Sequence, residues 1–417
     1  MGHTLAEKIL IYNTKVKTCK PGDIVITKPD MVMFHDIYTP FVYDKFKEMG
    51  FSKVWDVGKI AIMLDHLLPT CLKDDPRHLR YGYQFAEEFG IVNFHAADGI
   101  SHQLMPELRY AKPGGVVYVT DSHTTTYGAV GCFSTGIGYT EMASILGTGE
   151  LWARVPSAVK IQIDGELPTG IYAKDIILRI LGDLKADGGT YKSLEFCGTT
   201  IDALSVDGRL TIANMVVECG GKVGLFAVDE KTAEYSGVDY SEFKWLSFDA
   251  DAEYEQVLHY NAAEFTPYIA CPPYVDNVHP LADVIGVEVN EVFIGSCTNG
   301  RLEDLAIAAK ILEGKKVNPF VKFIVTPASR NIFKAAIDAG YIETLVKAGA
   351  MVTHPYCSLC QGRSGGLLAE GEVLLGTNNR NFLGRMGSAK AKTYLGSPAV
   401  AAASAITGKI SDPRNYI

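Results

Sequence analysis

Strand-like and helix-like segments alternate along nearly the whole chain, and this limits the fold more than any other feature. After the helix "TLAEKILIY" and the strand "GDIVIT", the run continues through "FVYDKFKEMG", "KVWDVG", "YGYQFAEEFG", "IVNFHAA" and "GGVVYVT". Strands separated by helices of about 10–15 residues build βαβ units around a parallel sheet. The pattern resumes with the strand "SAVKIQIDG" and the helix "AKDIILRILGDL". It returns late in the chain with "VEVNEVFIG", "RLEDLAIAAKILEG", "VKFIVTP" and "GAMVTHP". The fold class is α/β.

A chain of 417 residues is too long for one ordinary core, so several domains are expected. The blocks divide as 1–155, 156–280 and 281–417: three successive α/β/α domains, the last carrying Cys297, Cys357 and Cys360. The proline-rich run "FTPYIACPPYVDNVHP" reads as an irregular connection between the second and third. No repeat of fixed period and no low-complexity segment interrupts the pattern.

Thirty-nine basic against 48 acidic residues give a net charge of -9. That excludes a general nucleic-acid or anionic-membrane binder, because both need clustered Lys and Arg. No apolar run is long enough for a bilayer, and "MGHTLAEKILIYN" has neither the flank nor the cleavage site of a signal peptide. Nine cysteines, an odd number scattered along the chain, do not form a disulfide framework. A soluble, cytoplasmic protein with reduced thiols is expected.

Three of those thiols stand apart. Cys357 and Cys360 lie three positions apart in "HPYCSLCQG", and Cys297 follows a strand in "FIGSCTNG". In open α/β sheets, sites form beyond the carboxyl ends of strands, so the two loops are candidates for one sheet edge. A structural zinc would want a fourth ligand, which His354 could supply. A redox pair would leave Cys297 idle. A 4Fe–4S cluster on three thiolates would leave one iron open as a Lewis acid. Buried, inert cysteines are the plain alternative, and that is how Cys19, Cys71, Cys132, Cys197, Cys219 and Cys271 read.

Seven of the ten histidines fall within the first 123 residues. Asp65 and His66 are adjacent in "MLDHLLP"; Asp121, Ser122 and His123 stand in "VTDSHTTT"; His102 lies in "GISHQLMP"; and His35 precedes Asp36 in "MFHDIYTP". A carboxylate beside an imidazole fixes its tautomer and raises its basicity, which suits proton transfer. Taken singly, each reads as a hydrogen-bonded core or surface histidine; taken together they read as acid–base residues. The loop "GTNNRNFLGRMGS" adds Asn379, Arg380 and Arg385, and arginine forks match carboxylates. A small hydroxy-di- or tricarboxylate substrate is expected.

Together these motifs resemble the aconitase superfamily, and within it the large subunits of 3-isopropylmalate dehydratase and its close relatives. "DSHTTTYGAVG", "GSCTNGRLEDL", "CSLC" and "NRNFLGRMG" carry the resemblance in this order over essentially the whole chain. It implies that Cys297, Cys357 and Cys360 hold one 4Fe–4S cluster with an open iron, and that Asp65 and His66 protonate a departing hydroxyl. It further implies that Asp121 supports His102, that His123 pairs with Glu218, and that Ser122, Asn214, Asn379, Arg380 and Arg385 surround cluster and substrate. His35 stands where aconitases proper carry glutamine, and Thr126 where they carry asparagine; both mark the isopropylmalate branch.

The interval between the two close thiols lacks the Gly-Pro of many members, although its length is kept. The chain also ends soon after "NRNFLGRMG", without the fourth, swivelling domain that supplies the serine base and further substrate contacts. The resemblance therefore implies a hydro-lyase active only with a separate small subunit, as a heterodimer or larger assembly. Its first-choice reaction is isomerisation of 2-isopropylmalate to 3-isopropylmalate in leucine biosynthesis. Dehydration of 2,3-dimethylmalate, hydration of citraconate and the homoaconitase reaction are alternatives. A cluster-free RNA-binding regulator and a zinc-stabilised interaction subunit are the rivals from other classes.

Overall fold

The computed structural model describes residues 2–417, which form two compact units. The first comprises the chain up to Ala97, Leu104–Asp164 and Gly189–Tyr260; the second comprises Asp98–Gln103, Gly165–Gly188 and Asn261–Ile417. Each is an α/β body built around parallel strands.

In the first unit five strands lie in the order Asn93–Ala96, Ile60–Leu64, Met31–His35, Val116–Val119, Phe133–Gly136, and every neighbouring pair is parallel. Every residue of Met31–His35, Ile60–Leu64 and Val116–Val119 is buried, as expected for strands covered by helices on both faces. Phe34, Phe46, Phe85 and Met142 are among the fully buried residues of the surrounding core; each such side chain contributes about 1.5–3 kcal/mol by burial.

The same unit carries a second sheet, Val223–Phe226, Ser193–Cys197, Ala158–Asp164 and Gln256–Asn261. It also carries an antiparallel pair, Ile24–Thr27 with Leu151–Arg154.

In the second unit seven strands run Val278–Pro280, Tyr268–Ala270, Lys392–Leu395, Val373–Gly376, Glu291–Ile294, Lys322–Val325, Met351–Val352. The last five are mutually parallel, and the first two add antiparallel at one edge.

Two sequence expectations are corrected. "KVWDVG" is not a strand. Its apolar residues belong to a loop in which Trp55 packs over Gly149, where a Cβ would come within 2.4 Å of the indole, and Asp56 caps the turn through Gly58 N at 2.9 Å. The strand follows at Ile60–Leu64. "FTPYIACPPYVDNVHP" is not merely a connection, because it supplies the strand Tyr268–Ala270 and, outside it, the edge strand Val278–Pro280. Proline is tolerated there because an edge strand leaves one side of its backbone unpaired.

In chain order the five strands of the first unit sit 3-2-1-4-5, so the topology reverses between Met31–His35 and Val116–Val119. The parallel strands of the second unit reverse in the same way, between Glu291–Ile294 and Val373–Gly376. Crevices open beyond the carboxyl ends of strands at such reversals. The residues there are His35–Asp36 and Asp121 in one unit, and Cys297 and Asn379 in the other.

Candidate active-site residues

At the first reversal Asp36 is completely buried and organises the neighbouring strand end. Its carboxylate accepts from Ile37 N at 3.1 Å, from His66 N at 3.1 Å and from Leu67 N at 2.7 Å. The turn carrying His66 is thereby tied to the end of the adjacent strand. His66 Nδ1 meets Asp65 Oδ1 at 2.7 Å, and its Nε2 faces Asp121 Oδ2 at 4.0 Å. Burial works against a charged imidazole here, but Asp65 first, then Asp36 and Asp121, outweigh it and push the His66 pKa up to about 10. His66 is an acid held ready through the neutral range.

His35 is stacked on His66, ring centroids 4.0 Å apart, and is only 1% exposed. Neither of its ring nitrogens makes a hydrogen bond; Asp36 Oδ1 and Asp121 Oδ2 stand off at 3.6 and 3.7 Å. A buried imidazole with both nitrogens unengaged is costly, and its role is expected to be met by a ligand. His35, Asp36, Asp65 and His66 gather their ligating atoms within 4.8 Å of one another. That could draw a cation, but Asp36 is engaged with backbone N–H groups and His66 is held protonated. The arrangement suits proton handling better.

On the other side of the reversal Asp121 caps the 3-10 turn Ser122–Val130, accepting from His123 N at 2.8 Å. His123 Nε2 meets Glu218 Oε1 at 2.7 Å, and Ser122 Oγ lies 3.5 Å from His123 Nδ1. Glu218 is brought there by the turn Val216–Cys219 that follows the helix Val206–Met215. Thr126 and Asn214 are both fully buried and bond to each other, Asn214 Nδ2 donating to Thr126 Oγ1 at 2.8 Å. Thr125 Oγ1 adds a bond to Asn214 O at 3.1 Å. This pair clamps the helix against the histidine turn.

Asp121, Ser122 and Thr125 line a cavity of about 390 Å³ together with Tyr38, Tyr191 and Lys222. Sequence reading passed over Lys222. Burial pulls its ammonium pKa down, partly opposed by Glu141, and it places a cation in a cavity fit for an anionic substrate.

In the second unit Cys297, Cys357 and Cys360 are all buried and unpaired by any disulfide. Asn379, from the loop beyond Val373–Gly376, sits between two of them. Its Nδ2 lies 3.5 Å from Cys297 Sγ and its Oδ1 3.1 Å from Cys360 Sγ. Arg385 Nε donates to Cys360 O at 2.9 Å. The close thiol pair rides on a 3-10 turn, Ser358–Gln361, ended by Gly362 in the left-handed region. A Cβ at Gly362 would lie 2.0 Å from Arg385 O, so only glycine lets the two loops meet. Arg380 belongs to the same loop, and His102 lies buried in the Asp98–Gln103 segment of this unit.

Two further residues missed in the sequence hold the loops in place. Arg301 is fully buried; it donates to Cys297 O and Thr298 O, each at 2.6 Å, and to Gln103 Oε1 at 2.9 Å. Lys174, also fully buried, donates to Thr377 O at 2.7 Å and Asn378 O at 2.9 Å. Both brace main-chain carbonyls of the two loops. Asn379 links Cys297 and Cys360, and Cys357 caps the turn that carries Cys360; buried thiols are donors of the kind an iron–sulfur cluster takes.

The chain is similar to known proteins along nearly its whole length. The model of the aconitase family (aconitate hydratase) matches residues 7–286 and 282–408. A chain named 3-isopropylmalate dehydratase large subunit 1, from Methanopyrus kandleri, is 44% identical over 422 residues, covering 100% of both chains. The large subunit 2 of the same name from Archaeoglobus fulgidus is 44% identical over 419 residues, again covering 100% of both. A probable methanogen homoaconitase large subunit from Methanothermobacter thermautotrophicus is 44% identical, covering 98% of this chain and 97% of that one. The chain belongs to the aconitase family.

Proposed function

We propose that this chain is the large subunit of an iron–sulfur hydro-lyase that isomerises 2-isopropylmalate to 3-isopropylmalate by dehydration and rehydration. The observation that carries this reading is the end-to-end match, at 44% identity, to chains named for that reaction. The relatives are large subunits by name, which implies a smaller partner and a small acid substrate. Family membership implies a 4Fe–4S cluster, and in this reading Cys297, Cys357 and Cys360 are its three protein ligands. When bound, the cluster's open iron supplies Lewis acidity toward hydroxyl and carboxylate oxygen.

The side chains do the rest. His66, protonated and oriented by Asp65, gives its Nε2 proton to the departing hydroxyl; hydroxide is a poor leaving group, and general acid catalysis of this kind is worth about 10²–10⁴ in rate. His35 and Ser122 receive the substrate's polar groups, which satisfies the unengaged ring of His35. Glu218 fixes the tautomer of His123 through Nε2, and the pair serves the water that departs and returns. Asn379 orients the thiols, Arg380 and Arg385 take a substrate carboxylate, and the base that removes the carbon-bound proton comes from the small subunit.

The homoaconitase name on a relative of equal identity keeps one other substrate in play. The chain is reconstituted with iron and sulfide under anaerobic conditions and mixed with a cognate small subunit. Isopropylmalate and homocitrate are then offered separately, with the ultraviolet absorbance of the conjugated unsaturated acid followed. Turnover of isopropylmalate, lost in Cys297→Ser, is expected. Turnover of homocitrate alone would move the assignment to the homoaconitase reaction.

A further inference from the structure

Another cavity lies elsewhere. It measures about 450 Å³ and belongs wholly to the first unit, lined by Tyr12, Asp30, Met31, Arg109, Lys112 and Phe243 among others. Met31 opens the strand whose last residue is His35, so the cavity lies at the amino ends of the sheet. The acid–base residues lie at its carboxyl ends, about 13 Å away at 3.3 Å per residue.

Three charges face this cavity with capacity to spare. Arg109 holds a left-handed backbone, φ 63°, which L side chains adopt only at a cost. Its guanidinium is laid against Gly237, where a Cβ would fall 2.2 Å from Cζ. A strained residue on one side and a glycine on the other thus hold the fork in place, yet no hydrogen bond or ion pair engages it among the described residues. The Lys112 ammonium is likewise unengaged. Asp30 Oδ2 accepts from Val116 N at 2.8 Å, and Oδ1 is left open. Tyr12, Met31 and Phe243 supply an apolar wall.

Two cations alone would suit phosphate, but the carboxylate of Asp30 would repel it. A fork for a carboxylate, an acceptor for an ammonium and an apolar wall, in one cavity of small-molecule size, select a zwitterion with an apolar tail. We propose that this cavity binds an apolar L-α-amino acid: its carboxylate on Arg109 and Lys112, its ammonium on Asp30, its side chain against Tyr12, Met31 and Phe243.

Isothermal titration of the full chain with L-leucine and L-phenylalanine tests this, with the matching 2-hydroxy acids and the decarboxylated amines as controls. The amino acids are expected to bind at least about tenfold more tightly than either control, since each control leaves one charge unmatched. Arg109→Gly relieves the backbone while removing the fork, and is expected to weaken binding at least about tenfold. Asp30→Asn keeps an acceptor for Val116 N and is expected to erase the preference for amino over hydroxy acid. Absence of heat with either amino acid at millimolar concentration would overturn the proposal. So would hydroxy acids binding as well as amino acids, or Arg109→Gly binding unchanged with a normal unfolding temperature.

Discussion

The imidazoles of His35 and His66 lie face to face, ring centroids 4.0 Å apart and planes 17° from parallel. One ring is anchored to Asp65, while the other has no hydrogen bond at all. Residues from two neighbouring strand ends are thus stacked as a single surface, one half tied to a carboxylate and the other with both ring nitrogens unengaged.

If His66 is the acid, His66→Ala lowers turnover about 10²–10⁴-fold while the visible spectrum of the reconstituted cluster stays as in the wild type. Near-normal rates with the cognate small subunit would remove the acid assignment.

The raised His66 pKa has a signed consequence for stability. The folded value, about 10, lies above the ordinary histidine value near 6.5. Pairing therefore stabilises the protein fully below about pH 6.5 and progressively less as pH climbs toward 10. Asp65→Asn removes the strongest support for the charged ring. The gap in unfolding temperature between wild type and Asp65→Asn is expected to be widest near pH 6 and to shrink on the alkaline side. A gap that grew with pH would contradict the assignment.

Lys174→Met keeps much of the side chain's bulk but strands the carbonyls of Thr377 and Asn378, at roughly 1–3 kcal/mol for each unsatisfied acceptor. A lower unfolding temperature is expected, together with reduced iron retention after gel filtration, because Asn379 follows directly in the loosened loop. Normal iron content in a destabilised variant would separate Lys174 from the thiol site.

Gly362→Ala places a Cβ 2.0 Å from Arg385 O at a left-handed position that itself costs about 1–2 kcal/mol for an L side chain. The variant should fold less stably and take up less iron, whereas Gly314→Ala, left-handed but with open space around it, should lose stability alone. Equal iron content in the two would show that the close approach of the loops is unimportant.

The parallel architecture was legible because strands such as Ile60–Leu64 are buried from end to end and therefore appear as unbroken apolar runs. "KVWDVG" misled because Val54 and Trp55 pack on the core from a loop, so local alternation imitated a strand. The thiols and the histidine–carboxylate pairs were visible as neighbours in sequence. Lys174, Arg301 and Lys222 were not, nor was the bracing role of Asp36. A lysine near the start of a helix reads as solvated, and only contact with a loop some two hundred residues on reveals that Lys174 is a buried strut. Asp36 was seen beside His35, but its bonds to His66 and Leu67 cross between strands and leave no local trace.

Those bonds reach main-chain N–H groups rather than side chains. The scaffold at this sheet end is consequently indifferent to which side chains it displays. Residues facing the substrate can be exchanged in evolution while the frame keeps its shape, much as type can be reset without recasting the press. A family whose members act on acids of different size needs that separation of frame from face, and here one carboxylate provides it.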